Sequence, residues 1–424
     1  MHFVLFRGME KKEQSVVIIG AGGAGFIAAL TASLNGASVV VLEKNKRPGI
    51  KIRISGGGKC NVTHEGTPDE ILAAFSPYQR RFLKPALFRF PGEAIIQLLA
   101  DEGVPTFARE NGRVFPVSGR ADDVVDALLR ILKRRGVEVR TNAGVHGILS
   151  DASCVSGVAV DGASLAARAV LVATGGVSYR KTGTTGDGFA WARAVGHTIV
   201  PLMPALAPIG VAPPLPPSWR GIALRNGTLF IVEGTRHVKR CTGDLLFTHE
   251  GISGPAALDC SHAAAACGNA SVVWDFLPGM DAAEVDALLQ KRIVKERGRI
   301  IQTLLFDLLP NRIVPDLLSM IGVPPETRGY VLSASQRKSI VRMLKHWTIG
   351  NVSSVNIDRG EVTAGGIALS EVDRHTMQSK IIRGLYFAGE ILDVDGPIGG
   401  YNLQAAFSTG AVAGDHLGHH VELP

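Results

Sequence analysis

The sequence predicts an α/β fold in which a parallel-stranded domain, built from both ends of the chain, is interrupted by an inserted unit that is first β-rich and then helical. Three observations carry this. Val16-Val17-Ile18-Ile19 is an unbroken β-branched run, the mark of a strand buried on both faces; a glycine turn, an apolar stretch from Phe26 to Leu34 and a second run from Ser38 to Leu42 follow it, making one βαβ unit. The chain has 424 residues, whereas a single core stops growing at about 250–300 residues. Prolines 201, 204, 208, 213, 214, 216 and 217 crowd one segment and mark a crossing between domains. The expected division is a discontinuous domain at 1–200 and 350–424, a β-barrel-like part of the insert at 201–280 and a helical part at 281–349.

Taken in order, Gly36 ends the first helix as a C-cap, and residues 44–66 read as a Gly- and Lys-rich loop. Helical stretches follow at 67–75, 77–89 and 92–102. Asn111-Gly112 is a hairpin turn. Val124, Val125, Leu128, Leu129 and Leu132 line one face of a helix closed by Lys133, Arg134, Arg135 and Gly136. Strand patterns occupy 137–141, 144–149, 154–160 and 165–172, and a helix covers 187–196. In the insert, 218–276 read as short strands with turns at Asn226-Gly227 and Glu233-Gly234 and a helix after Pro255, and 281–346 read as mostly helical. Strands return at 352–363 and 385–388, and the last helix spans 402–415.

Composition narrows the class. Hydrophobic residues at 46% and charged residues at 20% exclude a disordered chain. The 50 glycines have no collagen-like period and gather in short loops, so backbone must approach something closely at several points. A formal charge of +7 suits anionic ligands but does not by itself indicate nucleic acid. Five cysteines without a C-x-x-C argue against a zinc or dithiol centre and fit a reducing cytoplasm. No apolar run reaches the roughly 18 residues of a membrane span. The opening segment Met1 to Gly8 has too short an apolar core for a signal peptide, and Met9 could equally serve as the start. A cytoplasmic protein with no membrane partner is expected; nothing in the sequence signals an oligomeric state.

Gly20-Ala21-Gly22-Gly23-Ala24-Gly25 fits G-x-G-x-x-G, directly after a strand and opening a helix, and Glu43 ends the next strand. That context makes it a dinucleotide fingerprint. Gly20 permits the turn, Gly22 lets backbone reach the pyrophosphate, Gly25 lets helix and strand pack, and the helix N-terminus offers N–H groups to phosphate. Glu43 can accept from the adenosine ribose and disfavours a 2′-phosphate, which leaves FAD or NAD. A nicotinamide dehydrogenase would continue with alternating strands and helices after Glu43. Here Ile50 to Asn61 form a Gly/Lys loop that could run along an extended ligand, with N–H groups from its glycines and charge from Lys51 or Lys59. Leu171 to Gly176 and Leu385 to Glu390 are strands ending in glycine, and Gly399-Gly400-Tyr401-Asn402-Leu403-Gln404 opens the last helix, whose N-terminus could stabilise negative charge on a reduced flavin.

Together these segments resemble the FAD-binding domain of the glutathione-reductase-like superfamily, in its succinate dehydrogenase/fumarate reductase branch. Ser55-Gly56-Gly57-Gly58-Lys59-Cys60-Asn61-Val62-Thr63, Thr182 to Gly188, Leu246 to Pro255 and Val362 to Ile367 resemble more closely a bacterial family of NAD(P)/FAD-dependent oxidoreductases, to which aminoacetone oxidase and a bile-acid dehydro reductase are similar. The resemblance runs from about residue 14 to residue 417 and implies a Rossmann-like FAD domain of glutathione-reductase type. It implies that Gly20, Gly22, Gly23, Ala24 and Gly25 hold the pyrophosphate, Glu43 and Lys44 the adenosine side, and Val145 the adenine through its backbone. It implies that Lys59, Cys60 and Asn61 lie beside the flavin, that Thr174 and Gly175 pass under the cofactor, that Asp187 sits in a Thr-Gly-Asp-Gly segment that contacts FAD, and that Lys51, Gly57, Gly58 and Gly176 also bind the cofactor. It also implies that Gly389 and Glu390 meet the ribityl chain and that Gly400, Tyr401, Asn402 and Leu403 meet the pyrimidine edge. No His/Arg proton-delivery set of the fumarate reductases is found, so dicarboxylate reduction is not inherited. No His-Gly pair precedes the loop, so the FAD is expected to be non-covalent.

Three residues are weighed for catalysis. Cys60 reads chiefly as a small packed side chain; the alternative is a thiol whose pKa Lys59 lowers. His249 reads equally as a proton donor or as a loop-capping histidine. Tyr401 could orient a substrate or simply pack. His197 reads as structural, and the basic run Lys291, Arg292, Lys295, Arg297 and Arg299 as a solvated helix face. The leading expectation is an FAD-dependent oxidoreductase passing a hydride between a small organic substrate and flavin N5, with O2 or transiently bound NAD(P)H completing the cycle and the insert covering the flavin. No second G-x-G-x-x-G in strand–helix context provides a nicotinamide domain. The alternatives are a flavoprotein acting on RNA, against which the lack of an evident basic–aromatic stripe weighs, and a colourless NAD-only dehydrogenase.

Overall fold

The computed structural model describes residues 16–151 and 153–419; the reading of the first eight residues and Met9 lies outside them. The chain divides into two compact units, residues 1–202 with 362–424, and residues 203–361.

In the first unit, β1 (Val16–Ile19), α1 (Gly23–Leu34) and β2 (Val39–Leu42) form the expected βαβ unit. Next come α2 (Ile50–Gly58), β3 (Thr63–His64), α3 (Pro68–Ala73), α4 (Pro77–Arg89), α5 (Gly92–Asp101), β4 (Thr106–Ala108), β5 (Arg113–Pro116), α6 (Ala121–Arg134) and β6 (Glu138–Arg140). Then follow β7 (Val145–Ser150), β8 (Val155–Val160), β9 (Ala163–Ala166), β10 (Ala169–Val172), α7 (Asp187–Ala194) and β11 (Ile199–Ala205), the last three residues of which fall in the second unit. Residues 44–66 are not all loop. Ile50 starts a helix after Gly49 in the left-handed region, and the helix breaks at Ser55, Gly56 and Gly57, which leave helical geometry. Strong turn formers at both ends hide this helix in the sequence.

The second unit holds β12 (Ile209–Ala212), β13 (Ala223–Glu233), β14 (Arg236–Phe247), β15 (Gly251–Ser253), α8 (Pro255–Ala266), β16 (Ala270–Asp275), α9 (Ala282–Lys295), α10 (Ile301–Leu305), α11 (Val314–Met320), α12 (Ala334–Lys345) and β17 (Trp347–Val355). Its strands close a barrel in the order β12-β15-β14-β13-β16-β17, so the expected β-barrel-like and helical insert is present. α8 lays its small residues Ala256, Ala257, Cys260 and Ala264 against these strands, and Trp219, Phe247, Phe276 and Trp347 pack ring against ring at 5.5–6.0 Å. Two expectations change here. Asn226-Gly227 is not a turn but an irregularity inside β13, where the ring of Trp274 lies over Gly227. Residues 350–361 stay with the barrel, because β17 pairs with both β12 and β16.

The chain returns to the first unit with β18 (Val362–Ile367), β19 (Leu385–Phe387) and α13 (Tyr401–His419). The central sheet runs β19-β10-β1-β2-β6, with every pairing parallel. Its inner strands are buried along their whole length, as their unbroken apolar runs require. α13 packs along α1, so the last helix completes the layer that the first begins.

Candidate functional site

In a parallel sheet, ligands meet the carboxyl ends of the strands. At that end of β1, Gly20 donates its N–H to the Leu42 carbonyl at 2.8 Å, which ties the turn to β2. The glycines divide by what surrounds them. A Cβ at Gly25 would overlap the Gly20 carbonyl oxygen, so Gly25 is required by packing. A Cβ at Gly22 would meet nothing within 4 Å, so the space it leaves faces outward. Gly22 caps α1 without a side-chain hydrogen bond, which leaves the first N–H groups of the helix unsatisfied by a cap.

Glu43 is 8% exposed. Its Oε2 accepts from the Ala21 N–H at 2.9 Å, and its Oε1 accepts from the Asn45 N–H at 2.9 Å and from Asn45 Nδ2 at 2.8 Å. The carboxylate thus fastens the glycine turn to the end of β2. Val145 opens β7 two residues after Ala143, whose N–H donates to the Glu43 carbonyl at 2.9 Å. Lys44 pairs with Asp187 at 2.7 Å, and Thr185 Oγ1 donates to the same carboxylate at 2.8 Å. Partial burial alone would raise the Asp187 carboxyl, but the hydrogen bonds from Lys44 and Thr185 outweigh it and hold it below its ordinary value.

A second cluster joins four segments. Lys51 Nζ contacts Glu390 Oε2 at 2.5 Å and donates to Ser178 Oγ at 2.9 Å. Ser178 Oγ donates to Glu390 Oε1 at 3.0 Å, and the Thr363 N–H donates to the same oxygen at 2.9 Å. Thr363 Oγ1 in turn accepts from the N–H groups of Val177 and Ser178 at 2.9 and 3.1 Å. Lys51 and Glu390 are among the residues expected at the site; Ser178 and Thr363 are not. Thr363 lies in the Val362–Ile367 segment that carried part of the resemblance; Ser178 follows Gly176 with no pattern of its own.

Asn61 Oδ1 and Thr174 Oγ1 are buried with no hydrogen-bond partner. Such groups cost about 1–3 kcal/mol each unless something satisfies them. Lys59, Gly57 and Gly58 are exposed. Cys60 is fully buried, and burial pushes its thiol up to about 12 despite a hydrogen bond to Ser55. The alternative in which Lys59 activates Cys60 therefore fails, because desolvation disfavours the thiolate far more than a lysine in solvent favours it.

Gly389, beyond β19, donates its N–H to Thr409 Oγ1 at 3.0 Å and packs against Ala24. At the start of α13, Gly400 has φ +99, and a Cβ there would overlap the backbone of Thr63. Asn402 spends its side chain on the Gly396 N–H and carbonyl at 2.7 and 2.8 Å, so its side chain shapes the loop. The first intrahelical bond runs from the Gln404 N–H to the Gly400 carbonyl, so the N–H groups of Tyr401, Asn402 and Leu403 precede the ladder. A Cβ at Gly23 would lie 2.9 Å from Leu403 Cδ1, so the N-termini of α1 and α13 adjoin.

Tyr401 stacks on His64 with ring centroids 4.6 Å apart, and Phe75 meets Tyr401 edge-on at 6.4 Å. His64 Nδ1 lies 2.8 Å from the Glu65 carbonyl. A carbonyl only accepts, so Nδ1 carries the hydrogen. The sequence reading missed His64, a lone histidine on a two-residue strand. His249, in the barrel unit, is exposed and pairs with Glu250 at 3.0 Å; Glu250 also pairs with Arg359. No helix among the described residues is long and apolar enough to cross a membrane.

Comparison with known proteins agrees with this architecture. The family model described as HI0933-like protein Rossmann domain matches residues 14–416. The chain is 30% identical over 404 residues to a 3-dehydro-bile acid delta(4,6)-reductase of Clostridium scindens, covering 94% of this chain and 97% of that protein. It is 32% identical to a ribosomal RNA dihydrouridine synthase of Haemophilus influenzae, covering 93% and 96%. A solved 3-ketosteroid-delta4-(5alpha)-dehydrogenase from Rhodococcus jostii shares the fold at a TM-score of 0.53 and 17% identity, with 96% of each chain covered. The chain belongs to the HI0933-like protein Rossmann-domain family, and it is an oxidoreductase.

Proposed function

We propose that the protein is an FAD-dependent reductase that saturates a carbon–carbon double bond conjugated to a carbonyl. The observation that carries this reading is the meeting of two helix N-termini at Gly23 and Leu403. One suits the pyrophosphate; the other suits the pyrimidine edge of a flavin, which becomes negative on reduction. A nicotinamide dinucleotide would use only the first. The unpartnered Asn61 Oδ1 and Thr174 Oγ1 fit a ligand rich in hydroxyl and N–H groups. Gly22 and Gly23 would hold the phosphates, Glu43 the ribose beside its role in the turn, and Asn61, Thr174, Lys51 and Glu390 the flavin side. When bound, FAD supplies hydride chemistry at N5.

The chain's own residues do the rest. The N–H groups of Asn402 and Leu403 stabilise negative charge at the ring edge. Lys51 keeps a cation next to Glu390 in a partly buried place. His64 holds a proton at Nε2 and gives it to the substrate carbon next to the carbonyl, while Tyr401 fixes the imidazole by stacking. NAD(P)H binds transiently as electron donor, in the cytoplasm, where the free cysteines stay reduced.

The Haemophilus relative favours a second reading of the substrate, in which the double bond is that of a uridine in RNA. Dihydrouridine is uridine with that bond saturated, and the bond is conjugated to a ring carbonyl as an enone is. The same chemistry serves both. The test is anaerobic. The yellow protein is bleached with NADPH or NADH, then mixed with a 3-keto-Δ4 steroid or a uridine-rich RNA. Return of the yellow colour with one of these supports the reading. Colour that returns only with air makes the protein an oxidase and overturns it.

A further inference from the structure

We propose that the C-terminal end of α9 and the segment packed against it form an RNA-docking surface, in which Lys291, Lys295, Arg297 and Arg328 take backbone phosphates and Tyr330 takes an unpaired base. The proposal rests on the RNA reading of the substrate and deepens it. The backbone brings these residues together. Beyond α9, residues 298–301 run antiparallel to 327–329: the Ile301 N–H donates to the Thr327 carbonyl at 2.8 Å, the Gly329 N–H donates to the Arg299 carbonyl at 3.0 Å, and Ile300 bridges Arg328. A Cβ at Gly329 would come within 3.1 Å of Ile293, so this segment sits directly on α9. Tyr330 then follows Gly329 and is 56% exposed, and Val294 on α9 is 77% exposed.

The charge balance of the patch is one-sided. Glu296 is held by Arg299 at 3.0 Å, Asp307 by Arg292 at 3.3 Å and Asp286 by Arg337 at 2.6 Å. Lys291, Lys295, Arg297 and Arg328 are exposed and have no carboxylate partner among the described residues, with Glu326 the remaining exposed acid beside them. Cations spaced around an exposed aromatic ring match a phosphate backbone with a splayed base. An anionic membrane needs a wider apolar face than Tyr330, Val294 and Val331 provide. The basic run is therefore more than a solvated helix face: the stripe absent from the linear sequence is assembled from two segments thirty residues apart.

The test uses the full-length, flavin-loaded protein and a fluorescent RNA hairpin with a uridine loop, followed by anisotropy over a salt series. The wild type binds at low salt. Lys295→Glu, Arg297→Glu and Arg328→Glu together remove most binding, and replacing the three by glutamine makes the plot of log K against log salt shallower by about two to three. Tyr330→Ala weakens binding about tenfold, and Tyr330→Phe restores it. Arg236→Glu with Lys239→Glu, away from the patch, leaves binding intact. Flavin absorbance and melting temperature confirm that each variant is folded. If the wild type does not bind RNA, the RNA reading falls and this surface with it. If the triple variant binds as the wild type does, or the control pair weakens binding as much, the surface is wrong while the RNA reading stands. Loss of binding to phosphatidylglycerol vesicles without loss of RNA binding also overturns it.

Discussion

Lys51 and Glu390, 339 positions apart, meet at 2.5 Å beside Ser178, with side chains 26% and 19% exposed. Removing one partner strands the other. Lys51→Met and Glu390→Gln each lower stability by about 1–3 kcal/mol, less than a fully buried pair, and the double variant recovers part of the loss. Thermal melting of the flavin-free protein checks this. Additive losses in the double variant would show that the pair contributes nothing as a unit.

Gly22 and Gly25 separate packing from ligand contact. Gly22→Ala melts within about 1 kcal/mol of the wild type, because the added methyl meets open space and the alanine stiffens the unfolded chain. It nonetheless weakens flavin binding. Gly25→Ala cannot keep the turn and loses both fold and flavin. Melting and flavin titration on each variant distinguish the two.

Thr174→Val removes a buried hydroxyl that has no partner. Flavin-free protein keeps or gains stability, while flavin affinity falls about two- to tenfold, the effect of one hydrogen bond. Equal losses in both states would show that the hydroxyl serves the fold alone.

Cys60 stays unlabelled by iodoacetamide in the native protein at pH 8, because burial holds its thiol near 12. Cys241, lowered by a hydrogen bond from Cys260, labels first. Peptide mass spectrometry reads the order; early labelling of Cys60 would restore it as a reactive thiol.

His197 is buried, 3.1 Å from Glu371 and 2.7 Å from Ser379. Burial lowers its pKa below 6.5 and outweighs the raising effect of Glu371. Below pH 6.5 the unfolded chain binds a proton that the folded one refuses, so stability falls as pH drops from 6.5 through the lowered value. His197→Gln flattens the melting temperature over that window.

The local signals were legible. The β-branched runs of β1 and β2, the glycine turn and Glu43 stand in one short pattern, and the structure keeps them adjacent. What stayed hidden depends on partners far along the chain. Ser178 and Thr363 gain meaning only when Glu390 reaches them, and His64 only when Tyr401 stacks on it. Asn226-Gly227 has the composition of a turn, but Trp274, from a neighbouring strand, covers Gly227 and draws both residues into β13. α2 was obscured because Gly49 and Gly56–Gly58 make its ends look like loop.

β19 and α13 follow the barrel unit in the chain, yet one pairs with β10 and the other lies along α1. On the ribosome, the barrel unit has its whole chain available while β10 still lacks its neighbour β19 and α1 its partner α13. The early sheet must wait with one open edge and an uncovered helix face, which leaves this half of the nascent protein the more exposed to aggregation.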